Sequence, residues 1–132
     1  MSNTPGDLRY TSSHEWARVE GSSGVATIGI TWFAQDSLGD VVHVELPKVG
    51  TSVHKGQSVA EIESVKAVSE IYSPVSGEVV AVNADLDGSE ELVNSAPFAD
   101  GWLFQVKMSH PAELDEMLAS DAYETHVAAS AH

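Results

Sequence analysis

A chain of 132 residues with 42% apolar content can close one hydrophobic core and is too apolar for wholesale disorder. It contains no cysteine, which excludes disulfides, thiol chemistry and thiolate metal sites. Twenty acidic residues against 6 basic ones give a net charge of −14, a surface that repels phosphate backbones and argues against nucleic-acid binding.

No apolar run approaches the roughly 20 residues that span a bilayer. Met1 to Asp7 lacks a basic region followed by an apolar stretch, so it reads as neither a secretory signal nor a transit segment. The expectation is a cytoplasmic protein with a loose arm over residues 1–7, one domain over 8–127 and a frayed tail over 128–132.

Order is expected to begin at Leu8-Arg9-Tyr10. Residues 14–30 read as a hairpin, with strands Trp16–Glu20 and Val25–Ile30 joined by the flexible turn Gly21–Gly24. Thr31 is placed to cap a short helix, Trp32–Leu38, which Gly39 stops in a left-handed conformation. Asp40–Leu46 alternates, with Val42, Val44 and Leu46 on one face and Val41, His43 and Glu45 on the other; Pro47 ends it. Val53–Gly56 forms a short strand and turn. Val59–Glu63 and Val68–Tyr72 then read as two strands meeting at a tight turn with Lys66 at its tip.

Ser73–Gly77 is a turn before the strand Glu78–Val82. Val53-x-x-Gly56-x-x-Val59 before the lysine echoes Pro74-x-x-Gly77-x-x-Val80 after it, which suggests a quasi-symmetric sandwich. An acidic stretch from Asn83 to Asn94 is anchored by Leu86, Leu92 and Val93. Trp102–Met108 is the last strand. Ser109 is placed to cap a C-terminal helix with Pro111 in its first turn and Leu114, Met117 and Leu118 on one face, and Ser120 a further turn around Tyr123.

Motifs for catalysis are missing. The histidines at 14, 43, 54, 110, 126 and 132 have no metal-site spacing. There is no nucleophile elbow, phosphate-cradling loop or dinucleotide fingerprint. Paired carboxylates such as Glu61/Glu63 and Glu90/Glu91 are what so acidic a chain produces anyway. Lys66 remains. A solvated tip gives its ammonium little reason to lose its charge, so it suits an enzyme that acylates it better than Schiff-base chemistry. On residue pattern alone, an ordinary charged turn residue is the simpler reading.

Ordered motifs change the balance. They are Tyr10-Thr11-x-x-His14-Glu15-Trp16, Gly29-Ile30-Thr31, Ala34-Gln35-x-x-Leu38-Gly39-Asp40 and Val44-Glu45-Leu46-Pro47-x-x-Gly50. Glu63-Ser64-Val65-Lys66-Ala67, Ser73-Pro74-x-Ser76-Gly77, Asn83, Glu91-Leu92-Val93-Asn94-Ser95-x-Pro97 and Gly101-Trp102 follow. In this order, from about Leu8 to about Tyr123, the chain closely resembles the H-protein family of the glycine cleavage system, carriers of covalently bound lipoate.

The resemblance implies a mainly β barrel–sandwich hybrid of the lipoyl and biotinyl type, with short helices including a C-terminal one. It implies lipoate amide-linked to Lys66 by a lipoyl ligase or a lipoyl/octanoyl transferase that reads Glu63, Ser64, Val65 and Ala67 around the turn. It implies a non-catalytic monomer with three partners. A pyridoxal-phosphate glycine decarboxylase, the P protein, loads an aminomethyl group. A tetrahydrofolate-dependent aminomethyltransferase, the T protein, unloads it. A dihydrolipoyl dehydrogenase, the L protein, reoxidises the dithiol. Ser13, Glu15 and Glu70 match the family's cleft for the loaded arm. The chain departs from many members at Glu90, where they have proline, and at Trp32, which is bulkier.

Competing readings are an H-type carrier serving lipoate relay or sulfur oxidation, a biotin carrier, and a small hydrolase or binding module with no prosthetic group. Biotin carriers usually flank the lysine with methionine, whereas Val65 and Ala67 stand here.

Overall fold

A computed structural model describes residues 5–19 and 24–130. Residues 1–4 of the expected arm, 20–23 of the first hairpin and 131–132 of the tail lie outside the described residues.

The elements run β1 (Arg9–Tyr10), β2 (Glu15–Val19), β3 (Val25–Ile30), α1 (Trp32–Leu38), β4 (Val41–Glu45) and β5 (Ser52–Val53). Then come β6 (Ser58–Ser64), β7 (Val68–Tyr72), β8 (Gly77–Val82), α2 (Leu92–Ser95), β9 (Phe104–Met108) and α3 (Ser120–Ser130). Short 3₁₀ turns occupy Ala84–Leu86 and Pro111–Glu116. One sheet has the order β1-β2-β3-β9-β8-β5 and the other β4-β6-β7, with every pairing antiparallel.

Strand alternation builds the core. In β6, Ala60, Ile62 and Ser64 turn inward while Glu61 and Glu63 stay exposed. Ile62 meets Ile28, Val79, Val106 and Leu103 in one buried cluster. A smaller aromatic cluster, Leu8, Tyr10, Trp16 and Tyr123, sits beside it. Tyr10 and Tyr123 stack with centroids 4.7 Å apart.

The echoed segments come together. Val53 pairs with Gly77, and the Gly56 amide donates to the Ser73 carbonyl at 2.7 Å. The chain passes from the larger to the smaller sheet between β5 and β6 and returns between β7 and β8. The hairpin carrying Lys66 is therefore held at its base by two similar crossings.

Expectations for the local structure fail at several places. In β4 the register shifts between Val41 and His43, and the irregularity inverts the alternation. Val41 is buried and Val42 is 49% exposed, so Val42 does not share the inward face of Val44 and Leu46. The last strand starts at Phe104, not Trp102, because the Leu103 amide and carbonyl are taken by Ile28 and Asn83. Ser109 caps nothing: His110 holds the N-cap position of the 3₁₀ turn, without a side-chain cap. Met117 is extended and Leu118 exchanges backbone hydrogen bonds with Tyr10, which breaks the expected helical face. Finally, the segment after Ser120 is an 11-residue helix, not one turn, anchored through fully buried Tyr123.

Gly77 is a steric requirement of the β8–β9 pairing. A Cβ there would lie 2.0 Å from the Lys107 carbonyl oxygen, and backbone cannot swing aside as a side chain can. Gly77→Ala is expected to cost about 3 kcal/mol, the upper range for overpacking. Urea unfolding checks it, and a loss within experimental error of zero would show that the strands separate freely.

Candidate functional site

Ser64 closes the turn that presents Lys66. Its backbone amide donates to the Ala67 carbonyl at 2.8 Å, and its hydroxyl contacts the same carbonyl at 3.2 Å. The hydroxyl oxygen accepts from the Lys66 amide at 3.3 Å and the Ala67 amide at 3.1 Å. This buried serine satisfies the polar backbone of the tip, as short side chains do in turns. Val65 and Lys66 project outward, with Val65 69% exposed.

Two features orient the tip. The Val65 amide donates to the Asp40 carbonyl at 3.1 Å, tying the hairpin to the junction of α1 and β4. At that junction Gly39 has φ 78° and ψ −158°. The positive φ agrees with the expected stop, but ψ does not: the residue is not left-handed helical. A Cβ at Gly39 would stand 3.3 Å from Lys66 Cε, so the lysine stem runs along the glycine. Thr31 caps α1 as expected, its hydroxyl accepting from the Ala34 amide at 3.2 Å.

A cleft of about 320 Å³ opens beside the turn. Ile30, Leu38 and Ile71 give it an apolar floor, and Ser13, Ser37 and Ser69 a polar edge. Ala67 and Val68 line it next to Lys66, so the cleft begins where the lysine leaves the sheet.

The three residues expected to serve the cleft are placed differently. Ser13 lines it. Glu15 is 1% exposed; its Oε1 accepts from Ser13 Oγ at 2.5 Å and Thr11 Oγ1 at 2.6 Å, and its Oε2 from the Tyr72 amide at 3.2 Å. The carboxylate therefore binds the β1–β2 turn to the end of β7 and reaches the cleft edge through Ser13. Glu70 is exposed and alternates away from Ser69 and Ile71, accepting from Ser58 Oγ at 3.1 Å and Tyr72 OH at 3.3 Å.

Sequence reading passed over His14. It lines the cleft and is the non-glycine residue of positive φ among the described residues, at 74°. Its Nδ1 pairs with Tyr123 OH at 2.6 Å, and that hydroxyl pairs with Thr31 Oγ1 at 2.7 Å. His126 Nε2 meets the Ser12 carbonyl at 3.0 Å. Thus α3 docks on the cleft edge, and its partners lie too far away in sequence for local patterns to reveal. Burial, followed by the neighbouring His126, lowers the pKa of His14.

Burial also raises the pKa of Glu15 from 4.5, against the opposing hydrogen bonds of Ser13, Thr11 and Tyr72. A raised folded value means the native state holds this proton more tightly than the unfolded chain. The contribution is full below 4.5 and is lost as pH rises through the folded value. Glu15→Gln lacks the titration. Between about pH 4 and about pH 7, wild type should lose unfolding free energy relative to that variant. Denaturant titrations check this, and a flat or inverted difference would show that the hydrogen bonds outweigh burial.

A family model described as glycine cleavage H-protein matches residues 8–130. A glycine cleavage system H protein of Pectobacterium carotovorum is 55% identical over 124 residues, covering 94% of this chain and 95% of that protein. One from Symbiobacterium thermophilum is 52% identical over the same length, again covering 94% and 95%. The crystal structure of a glycine cleavage system H protein from Mycobacterium marinum superposes with a TM-score of 0.86 at 35% identity, covering 94% of this chain and 98% of that one. The two sheets therefore form the barrel–sandwich hybrid of lipoyl carriers. The chain belongs to the glycine cleavage H-protein family, the lipoate-bearing shuttle component of the glycine cleavage system.

Proposed function

We propose that Lys66 carries lipoate in amide linkage and that the protein ferries an aminomethyl group from the P protein to the T protein, with the L protein restoring the disulfide. The observation that carries this reading is an exposed lysine on a serine-locked hairpin tip at the mouth of a cleft. Of the four lysines, Lys55 pairs with Glu116 and Lys107 lies against Gly24, whereas the Lys48 and Lys66 ammonium groups have no hydrogen-bond or ion-pair partner among the described residues, and of these two only Lys66 stands on the hairpin tip beside the cleft.

The surroundings fit the group. An apolar floor suits a methylene chain, and a polar edge suits the amine it would carry. When bound, lipoate supplies a dithiolane whose sulfur accepts the aminomethyl group. This chain's own residues hold and shield. Amide formation removes the Lys66 charge and lets its stem lie along Gly39 into the cleft. Ser13 directs its hydroxyl hydrogen at Glu15, which leaves its lone pairs to accept from an ammonium, with the carboxylate adding attraction from behind. Glu70 contributes charge from the opposite face of β7. Glu63, Ser64, Val65 and Ala67 form the surface that the ligase or transferase reads. The chemistry belongs to the partners, so the protein itself is non-catalytic. A tethered arm replaces diffusion of a labile intermediate with a high effective concentration.

Lys66→Arg tests the assignment. Guanidinium forms no such amide, and the exposed site tolerates its bulk. Wild-type protein incubated with lipoate ligase, lipoic acid and ATP should gain one lipoyl mass increment, mapped by peptide digestion to Lys66. The folded variant should gain none. The lipoylated protein should then accept the aminomethyl group from the P protein and glycine. Modification at Lys48, Lys55 or Lys107 would refute the site, and failure to accept the group would refute the pathway.

A further inference from the structure

Asn94 lies in α2, 28 residues beyond Lys66, and makes no bond to the attachment turn itself. Its carboxamide is committed to the segment joining α1 to β4. Oδ1 accepts from the Val41 amide at 2.9 Å. Nδ2 donates to the Gly39 carbonyl at 2.8 Å and to Gln35 Oε1 at 3.2 Å. Both Nδ2 hydrogens and the oxygen are thus used, and the Gly39 acceptor and Val41 donor fix which way the amide faces.

Asp40 stands between those two anchor points, and its carbonyl receives the Val65 amide. The links form one path: Asn94 holds Gly39 and Val41, these hold Asp40, and Asp40 holds Val65 beside Lys66. The clamped segment needs holding, because Gly39 has a positive φ and the register of β4 shifts immediately after Val41. The base of the clamp is firm, since Val93, next to Asn94, is fully buried in the main core.

We propose that Asn94 is a positioning residue for the attachment turn: by fixing the Asp40 carbonyl it sets the direction in which Lys66 leaves the sheet. The proposal rests on the reading of Lys66 as the attachment point. Without the clamp, the Val65 amide loses a fixed acceptor and the tip samples several directions. A modifying enzyme that binds one of them sees only that fraction of the carrier, which raises KM and leaves kcat unchanged.

The full-length protein is compared with Asn94→Ala, Asn94→Asp and Val106→Ala. Initial rates of lipoylation are measured against carrier concentration with lipoate ligase, lipoic acid and ATP, and hydrogen exchange of the Val65 amide is followed by NMR. Asn94→Ala should raise KM about tenfold at constant kcat and speed Val65 exchange about as much. Asn94→Asp sets an oxygen against the Gly39 carbonyl and should move both readouts the same way, which keeps the test intact if the alanine variant does not fold. Val106→Ala weakens the core from β9, away from α2, so it should lower stability yet keep wild-type KM and Val65 exchange. Wild-type values in the folded Asn94 variants, or equal changes in Val106→Ala, would overturn the proposal. A wild-type protein that is not modified at Lys66 would refute the attachment reading instead, and Val65 exchange would still decide the clamp.

Discussion

The hydrogen bond from the Val65 amide to the Asp40 carbonyl couples the tip of one hairpin to the start of another strand. A two-stranded tip alone is a flexible thing. Here Ser64 closes it from within, and Asp40 restrains it from the side. The base is set by the β6–β7 ladder and by Ile62 and Ile71 in the core. Exposure of Lys66 and rigidity of its support therefore come from different parts of the molecule. A carrier needs both: a freely reachable attachment atom and a base that does not wander.

Polar groups do the long-range fastening. Glu15 is buried, yet it accepts three hydrogen bonds and joins the β1–β2 turn to β7. Its raised pKa records the cost of desolvation that those bonds do not fully offset. Tyr123 plays the matching part from the C-terminal helix, stacking on Tyr10 and pairing with both His14 and Thr31. The α1 cap is thereby linked to α3, and the cleft edge is built from four regions of the chain. Removing one partner would strand the others in a dry environment, where an unmet hydrogen bond costs about 1–3 kcal/mol.

The outer face of the smaller sheet is built on a different balance. Glu45 stands opposite Glu61 and Glu61 opposite Glu70, a row of exposed carboxylates across three strands. Like charges directly opposite each other weaken a sheet. The buried side compensates, with Val44, Ala60, Ile62 and Ile71 packed against the core.

Local chemistry is what the sequence carries best. Period-two alternation placed β6, β7 and the lysine tip, Thr31 and Gly39 placed α1 at its true ends, and the missing cysteines leave the chain's own side chains without a thiol. The ordered motifs identified the family, because their spacing spans nearly the whole chain. Only the tertiary structure decided the rest. An irregularity in β4 moved Val42 to the surface, which no alternation pattern announces. The expected helix after Ser109 lost to pairing between Leu118 and Tyr10, and α3 gained its anchor from a ring 113 residues away in sequence. Glu15 reads as a polar turn residue until Tyr72 and Ser13 close over it. Asn94 reads as loop polarity until it meets Gly39 and Val41. Alternation and turn preferences act over a few residues, whereas burial and hydrogen-bond partners are fixed only when distant segments meet.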